Sequence, residues 1–328
     1  MVVSAEAAIG GRRVLVTGGA GFIGRRLTAV LARSGATVSV ADVSASHLAA
    51  LQGRFPQIRC YELDIRDRVA VQQVVDATRP DYVFHLAAAG VSDPFLPLEL
   101  ALAVNLYGSL NLFRACFDEN ESSRRAGENG GRVIRLVHTS TPYEGATGAD
   151  QEPCPISHYA ASKAAASAVA RMFHRTRGWP IVMVRPFQVY GPGQPAQALI
   201  PAAILAAKEG RSFRMTGGKQ ERDFVYVDDI AQGYLAAATR GVGGRSYDLG
   251  WGTTHTIRAV IERLYTLMQS DTQPLCGALP YRPGEIWSMH ADIGPAARDL
   301  GWYPQVSLDE GLSVTVESVL LDNALVTR

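Results

Sequence analysis

Three glycines and one acid set out the first piece of chemistry in this sequence. Gly18, Gly21 and Gly24 recur every third residue in Thr17-Gly18-Gly19-Ala20-Gly21-Phe22-Ile23-Gly24, directly after the apolar run Val14-Leu15-Val16. Glycine allows the tight turn, lets backbone approach a pyrophosphate and lets a following helix pack closely, its free N–H groups facing the phosphates. Asp42 lies roughly 20 residues further on, at the end of the second apolar run, where a carboxylate accepts from both ribose hydroxyls of a dinucleotide. The plainer alternative is a bare strand-to-helix turn, with Asp42 capping the next helix. Strand, turn, helix and acid in register favour dinucleotide binding. The charge of Asp42 repels a 2′-phosphate and so favours NAD over NADP, although Arg25 and Arg26 weaken that argument.

Tyr159 and Lys163 set out the second piece. They stand four apart in a stretch of helical periodicity and therefore share one face. A lysine cation beside a phenol favours the phenolate, lowering the tyrosine pKa toward what a general base for a hydroxyl requires. Such a pair, taken alone, is more often a solvated surface pair.

The elements that must position these groups are legible as alternation. Short apolar runs at Arg13–Thr17, Thr37–Ala41, Ile58–Leu63, Asp81–Leu86, Arg132–Thr139 and Pro180–Arg185 read as parallel strands covered on both faces. Helical stretches at Phe22–Arg33, Arg68–Thr78, Pro97–Phe117 and His158–Arg177 separate them. The fold class is therefore α/β, a Rossmann-type doubly wound parallel sheet. Residues 1–185 are expected to form the NAD-binding domain, with 1–10 a flexible tail. Residues 186–328 read as a smaller, mainly substrate-binding α/β lobe whose segments interleave back onto the first domain. The polar run Glu121–Gly131 reads as a surface loop.

Composition excludes several classes. Apolar residues make up 47% and charged residues 19%, which is ordinary for a globular protein. A formal net charge of +1 gives no electrostatic footprint for nucleic acid or an anionic membrane, so an anionic ligand must be met by a few local cations. Cys60, Cys116, Cys154 and Cys276 lie far apart, with no spacing suited to zinc, so neither a metal nor a disulfide is expected. No run of about 18 apolar residues occurs, and the chain is read as cytoplasmic.

The ordered series of motifs resembles the extended short-chain dehydrogenase/reductase family, in its nucleotide-sugar epimerase/dehydratase group. The series comprises the glycine turn, Asp64-Ile65, His85-Leu86-Ala87-Ala88-Ala89, Asn105, Tyr159-Ala160-Ala161-Ser162-Lys163, Arg185-Pro186-Phe187, Glu221 to Asp229, and Arg282-Pro283-Gly284-Glu285. The resemblance implies a nucleotide-diphosphate sugar oxidised and reduced by a tightly held NAD. It assigns catalysis to Tyr159, Lys163 and a Ser/Thr after the fifth strand, for which Thr141 is preferred over Ser140. On the cofactor side, beside Gly18, Gly21, Phe22, Ile23, Gly24 and Asp42, it implies Asp64 and Ile65 at the adenine and Leu86, Ala87 and Ala88 along the ribose and nicotinamide. Asn105, Tyr159, Lys163 and Pro186 complete that set, with Phe187 adjoining. On the substrate side it implies Ala89, Ser140, Thr141, Gln188, Arg222, Arg282 and Glu285. The two arginines would meet the diphosphate and Glu285 the nucleotide ribose. Gln188 departs from the family's usual asparagine. His85 is read as structural, and His158 is given no role.

The residues after Thr141 separate sibling reactions. Family dehydratases carry an Asp-Glu pair there, whereas this chain has Pro142 and Tyr143. The expected activity is therefore an NAD-dependent nucleotide-sugar 4-epimerase working through a transient 4-keto intermediate. The alternatives are an NAD(P)H-dependent reductase of a 4-keto sugar, then a dehydratase or decarboxylase should Glu144 turn inward, and last a non-catalytic NAD-binding protein. The family also implies a homodimer through the helices Pro97–Phe117 and His158–Arg177.

Overall fold

The computed structural model describes residues 4–118, 133–145, 155–282 and 284–326, without the side chains of 322–326. The expected loop at Glu121–Gly131 and Cys154 lie outside these residues. The chain forms two compact units, one of Met1–Arg185, Ala231–Tyr247 and Pro295–Trp302, the other of Pro186–Ile230, Asp248–Gly294 and Tyr303–Arg328.

In the first unit, strands β1 (Arg13–Thr17), β2 (Thr37–Asp42), β3 (Arg59–Glu62), β4 (Tyr82–His85), β5 (Arg135–Thr139) and β6 (Ile181–Pro186) pair in parallel. The sheet order is β6-β5-β4-β1-β2-β3, and a seventh strand, Ser246–Leu249, is added beyond β6. Val14, Leu15, Val16, Val83 and Phe84 are almost wholly buried, as continuous apolar runs in a sheet covered on both faces must be. From β1 the chain builds outward through β2 to β3, then returns to place β4 on the other side of β1. That reversal is the topological switch point, and ligands of open α/β sheets lie outside the strand ends there.

The helices of this unit are α1 (Ala5–Ile9), α2 (Phe22–Arg33), α3 (Ala45–Arg54), α4 (Arg68–Thr78), α5 (Leu98–Ala101), α6 (Ser109–Phe117) and α7 (His158–Arg177). The expected flexible tail is corrected over residues 5–9. Ser4 caps α1 by accepting from the Ala7 N–H, and Ile9 is fully buried. Three alanines and an isoleucine in five residues give this helix an apolar face, in a segment too short to show helical periodicity. The helix expected as continuous over Pro97–Phe117 contains a π-helical turn at Leu102–Gly108, a feature hydrophobic periodicity does not report. The run Leu98–Phe117 is long and apolar enough to cross a membrane, but half of it is buried inside the protein and it carries the internally bonded Asn105. Helix α7 begins where Ser157 Oγ accepts the Ala160 N–H at 3.1 Å and ends at Gly178 with φ of 66°.

The second unit holds β7 (Gln188–Tyr190), β8 (Arg214–Met215), β9 (Glu221–Arg222), β10 (Phe224–Tyr226), β12 (His255–Thr256), β13 (Leu275–Cys276) and β14 (Ser288–Met289), β11 in chain order being Ser246–Leu249, the seventh strand of the large sheet. Its helices are α8 (Leu199–Lys208), α10 (Ile257–Leu267) and α11 (Leu308–Val326), α9 (Val227–Arg240) being shared with the first unit. A separate core gathers Tyr190, Ile204, Phe224, Ile261, Leu264 and Leu312. The carboxylate of Asp223, 1% exposed, accepts from the Trp251, Gly252 and Ala291 N–H groups and fixes the segments around β9 and β10.

The glycine turn gives a stability test. A Cβ on Gly24 would stand 2.2 Å from the Gly18 carbonyl oxygen, whereas one on Gly53, inside α3, meets nothing within 4 Å. Gly24→Ala is expected to destabilise the fold by about 1–3 kcal/mol through overpacking. Gly53→Ala is expected to stabilise it by roughly 0.5–1 kcal/mol through helix propensity. Urea unfolding midpoints of the two variants should move in opposite directions.

Candidate active site

At the switch point the chain approaches itself backbone to backbone. Gly18 has φ of 69°, and a Cβ there would lie 2.5 Å from the Ala87 nitrogen, so any side chain would collide with the segment leaving β4. Gly21 is the N-cap of α2, and Phe22 and Ile23 open the helix, partly exposed. Asp42 at the end of β2 accepts from the Ala20 N–H at 3.1 Å and the Ser44 N–H at 3.2 Å, which ties it to the glycine turn. Leu86, Ala87, Ala88 and Ala89 follow β4 and are half-buried.

Asp64 is held below the usual carboxylate range by its hydrogen bonds to the Arg66 guanidinium, 2.5 Å away. Ile65 is buried, in contact distance of Gly108, where a Cβ would meet its Cγ1 at 2.6 Å. Asn105, at the centre of the π turn, is fully buried. Its Oδ1 accepts the Ala89 N–H at 2.8 Å, and its Nδ2 donates to the Ala89 carbonyl at 2.9 Å and to Ser162 Oγ at 2.8 Å. Its amide thus locks the loop after β4 onto α7. Pro186 is buried at the end of β6, and the Phe187 N–H donates to the Leu249 carbonyl at 3.0 Å.

The residues expected to be catalytic lie after β5 and along α7. Thr141 is 4% exposed and hydrogen-bonds the Tyr159 phenol. Ser140 faces a different group, its Oγ bonded to the Glu144 carboxylate and, at 2.8 Å, to Ser167 Oγ. The structure therefore brings Thr141, not Ser140, to the tyrosine. Lys163 is fully buried and its Nζ has no hydrogen-bond partner.

One electrostatic expectation is corrected. Burial pushes the Tyr159 phenol up to about 12, with the Thr141 hydrogen bond opposing the rise and Tyr143 and Glu144 adding to it. Burial in turn pushes the Lys163 ammonium down to about 8, against the attraction of Glu144. Burial therefore outweighs what spacing alone suggests, because desolvation disfavours both charged forms at once.

His85, fully buried, lies between Thr17 Oγ1 at 2.7 Å and Ser109 Oγ at 2.9 Å, and burial with the nearby Lys163 charge lowers it to about 3. It is a neutral internal strut. His158 is tied to the Leu96 carbonyl at 2.8 Å. The sequence reading missed Ser109 and Ser167 and named Ser162 only within the Tyr159–Lys163 motif, without a role.

In the second unit Arg222 is 8% exposed and hydrogen-bonded within the protein. Its Nη2 pairs with Glu285 Oε1 at 2.7 Å, while Nη1 donates to the Glu221 and Ile286 carbonyls. Two residues expected at separate parts of a nucleotide thus form one ion pair across β9 and the strand-leading segment 282–287. Arg282 is exposed, and its carbonyl accepts the Glu285 N–H at 3.2 Å. Gln188 is half-buried on β7, its N–H bonded to the Asp223 carbonyl at 2.9 Å.

Known proteins are similar to this chain over nearly its whole length. The dTDP-glucose 4,6-dehydratase of Neisseria meningitidis is 30% identical, the similarity covering 93% of this chain and 92% of that protein. UDP-glucose 4-epimerase of Mycolicibacterium smegmatis is also 30% identical, over 93% of this chain and 97% of the relative. The crystal structure of UDP-glucose 4-epimerase with UDP-glucose from Thermotoga maritima superposes with a TM-score of 0.80 at 29% identity, covering 95% of this chain and 99% of the other. With the glycine turn, the Tyr159–Lys163 face and the switch point in place, and with residues 14–250 matching its description, the chain belongs to the NAD dependent epimerase/dehydratase family.

Proposed function

We propose that the protein is a nucleotide-sugar 4-epimerase that uses NAD and a transient 4-keto sugar. The observation that carries this reading is the fate of the one carboxylate among the described residues of the loop after β5. Glu144 is 6% exposed and bonded by Ser140, while Pro142 and Tyr143 occupy the two positions after Thr141. Elimination of water from the sugar needs an acid and a base beyond the tyrosine. Among the described residues that loop offers no carboxylate free for the task. Epimerisation needs none, since one group that takes a proton from the C4 hydroxyl and gives it back serves both halves.

The residues present fit NAD. Gly18 and Gly24 let the turn's backbone lie against the segment after β4 and under the first coil of α2, and the Asp42 carboxylate accepts from Ala20 within the turn. The buried, unpartnered Nζ of Lys163 is a donor without a protein acceptor. Bound there, NAD would supply the acceptor and the donor of the C4 hydride. Tyr159 takes the proton of the C4 hydroxyl at its phenolic oxygen, the Thr141 hydroxyl donates to that oxygen and favours its charged form, and Lys163 supplies the compensating cation. Asn105 keeps the loop at Ala89 in register with α7. In the second unit the Arg222–Glu285 pair, Arg282 and Gln188 are the proposed diphosphate and ribose contacts, a guanidinium fork being suited to phosphate oxygens.

A homodimer is proposed on the exposed apolar side chains of the helical run Leu98–Phe117 and α7, among them Leu98, Tyr107 and Met172. Light scattering should return twice the mass of 35.2 kDa at micromolar concentration, and a single monomer species would remove this proposal.

Incubation with UDP-, dTDP-, CDP- and GDP-hexoses in D2O without added cofactor should yield a 4-epimer carrying no deuterium at C5. A 4-keto-6-deoxy product deuterated at C5 would replace the reading with dehydration, and turnover only on addition of NAD(P)H would replace it with reduction. Tyr159→Phe should lower the rate by on the order of 100- to 10,000-fold, the usual worth of a positioned proton-transfer group. Asp42→Asn should weaken NADH binding by roughly 10- to 100-fold, the worth of hydrogen bonds to a charged acceptor, and narrow the preference over NADPH. Fluorescence titration checks this, and unchanged affinities for both nucleotides would mean that Asp42 only braces the turn.

A further inference from the structure

The Tyr159–Lys163 face of α7 continues one turn further than the catalytic pair. Tyr159, Lys163 and Ser167 stand at intervals of four and therefore project from the same side of the helix. Ser167 Oγ is 2.8 Å from Ser140 Oγ, and Ser140 Oγ donates to Glu144. All four of Ser140, Glu144, Lys163 and Ser167 are buried. A carboxylate on the 3-10 turn Pro142–Gly145 is thus roped by two serine hydroxyls to the helix face that carries the lysine.

Lys163 needs such a neighbour. It has no solvent exposure and its ammonium donates to nothing in the protein. An isolated buried ammonium loses its proton rather than bear the desolvation cost, and a neutral amine gives a phenolate no support. The other titratable groups facing it bring no negative charge. His85 on β4 and His138 on β5 are both fully buried and held neutral, and the ring nitrogens of His138 have no partner. Tyr159 is neutral through burial. Glu144 is the group among the described residues whose charge favours the ammonium.

We propose that Glu144 is a positioning residue, the buried counter-charge that keeps Lys163 protonated, and that Ser140 and Ser167 hold its carboxylate at the station where it does so. The proposal rests on the Tyr159–Lys163 proton-transfer reading but not on which sugar reaction follows. Its sign is definite. Glu144 raises both Lys163 and Tyr159. Removing its charge lowers the pH at which the lysine discharges and also the pH at which the phenol ionises. Both limbs of a pH–rate profile then move toward acid together, which simple loss of packing does not cause.

The lysine can be observed directly, because the chain has three lysines, Lys163, Lys208 and Lys219, and the latter two are exposed. The full-length protein labelled with 13Cε-lysine is titrated by NMR without substrate, as the unsubstituted chain and as Glu144→Gln and Glu144→Asp. The Lys163 signal should titrate near pH 8 in the unsubstituted protein. In Glu144→Gln its midpoint should fall by about one pH unit or more, the usual effect of a nearby opposite charge. Glu144→Asp, which keeps the charge, should recover part of that fall, and both limbs of the Glu144→Gln rate profile should shift to lower pH. An unchanged Lys163 midpoint overturns the proposal, whether or not activity is lost. Should Glu144→Gln fail to fold, Ser167→Ala leaves the carboxylate but cuts its tether, and a smaller downward shift is expected. No shift in that variant overturns the proposal equally. The titration uses no sugar, so an unsubstituted protein that shows the Lys163 behaviour yet makes no 4-epimer refutes the reaction reading alone.

Discussion

The first unit depends on backbone meeting backbone where β1 ends. Parallel strands related by a reversal of strand order must separate their exit loops, and the gap that opens is where a ligand enters. Here the gap is narrowed until the turn after β1 lies against the segment after β4, with no room for a Cβ on Gly18 beside Ala87. The same turn admits α2 only because Gly24 lets its first coil sit on the Gly18 carbonyl. A side chain at either place would move the helix N-terminus away from the strand ends, and with it the N–H groups that make such a turn an anion site. Asp42 belongs to the same constraint, because its carboxylate accepts from Ala20 within the turn and so reports the turn's position to the end of β2.

From that point the polar groups form a layer across the carboxyl ends of the strands. Thr17, His85 and Ser109 make one chain of hydrogen bonds; Ala89, Asn105 and Ser162 make a second; Ser140, Glu144 and Ser167 make a third. Each links a strand end to a helix. Buried polar networks are costly when incomplete and specifying when complete. Two of the groups left unsatisfied, Lys163 Nζ and His138, lie among these chains rather than at random. An unsatisfied buried ammonium beside an ionisable phenol is what a site that must move a proton retains, since full satisfaction would hold the pair in one charge state.

The strands and the helices α2, α4 and α7 were legible because continuous apolar runs and 3.6-residue periodicity are strong local signals. The glycine turn, Asp42, Tyr159 and Lys163 were legible because their function constrains spacing along the chain. Three things escaped. The π turn at Leu102–Gly108 leaves composition unchanged while altering which side chains face inward, and it places Asn105 where its amide reaches both Ala89 and Ser162. Helix α1 is too short for a periodic signal, and its stability comes from burying Ile9. The charge state of the tyrosine was misjudged because spacing reveals a neighbour but not the dielectric around it, and desolvation is a property of the whole packed layer.

That layer also explains why relatives with the same framework are named for different reactions. On the proposed reading the framework supplies a cofactor turn, a proton-transfer face and a cationic handle for a diphosphate, and none of these distinguishes returning a hydride to C4 from eliminating water first. Discrimination falls to the few residues after β5, where a shift of one position reverses the role of a carboxylate. In this chain the acid stands at 144 instead of 142 or 143. On a 3-10 turn, with three residues per turn, such a displacement rotates a side chain by about a third of a circle per residue. Rotation takes Glu144 away from the loop's outer side and onto Ser140, where its charge acts through Lys163. A carboxylate one or two positions further along the turn is thus buried against Ser140, and on the proposed reading its charge bears on Lys163 and not on a sugar.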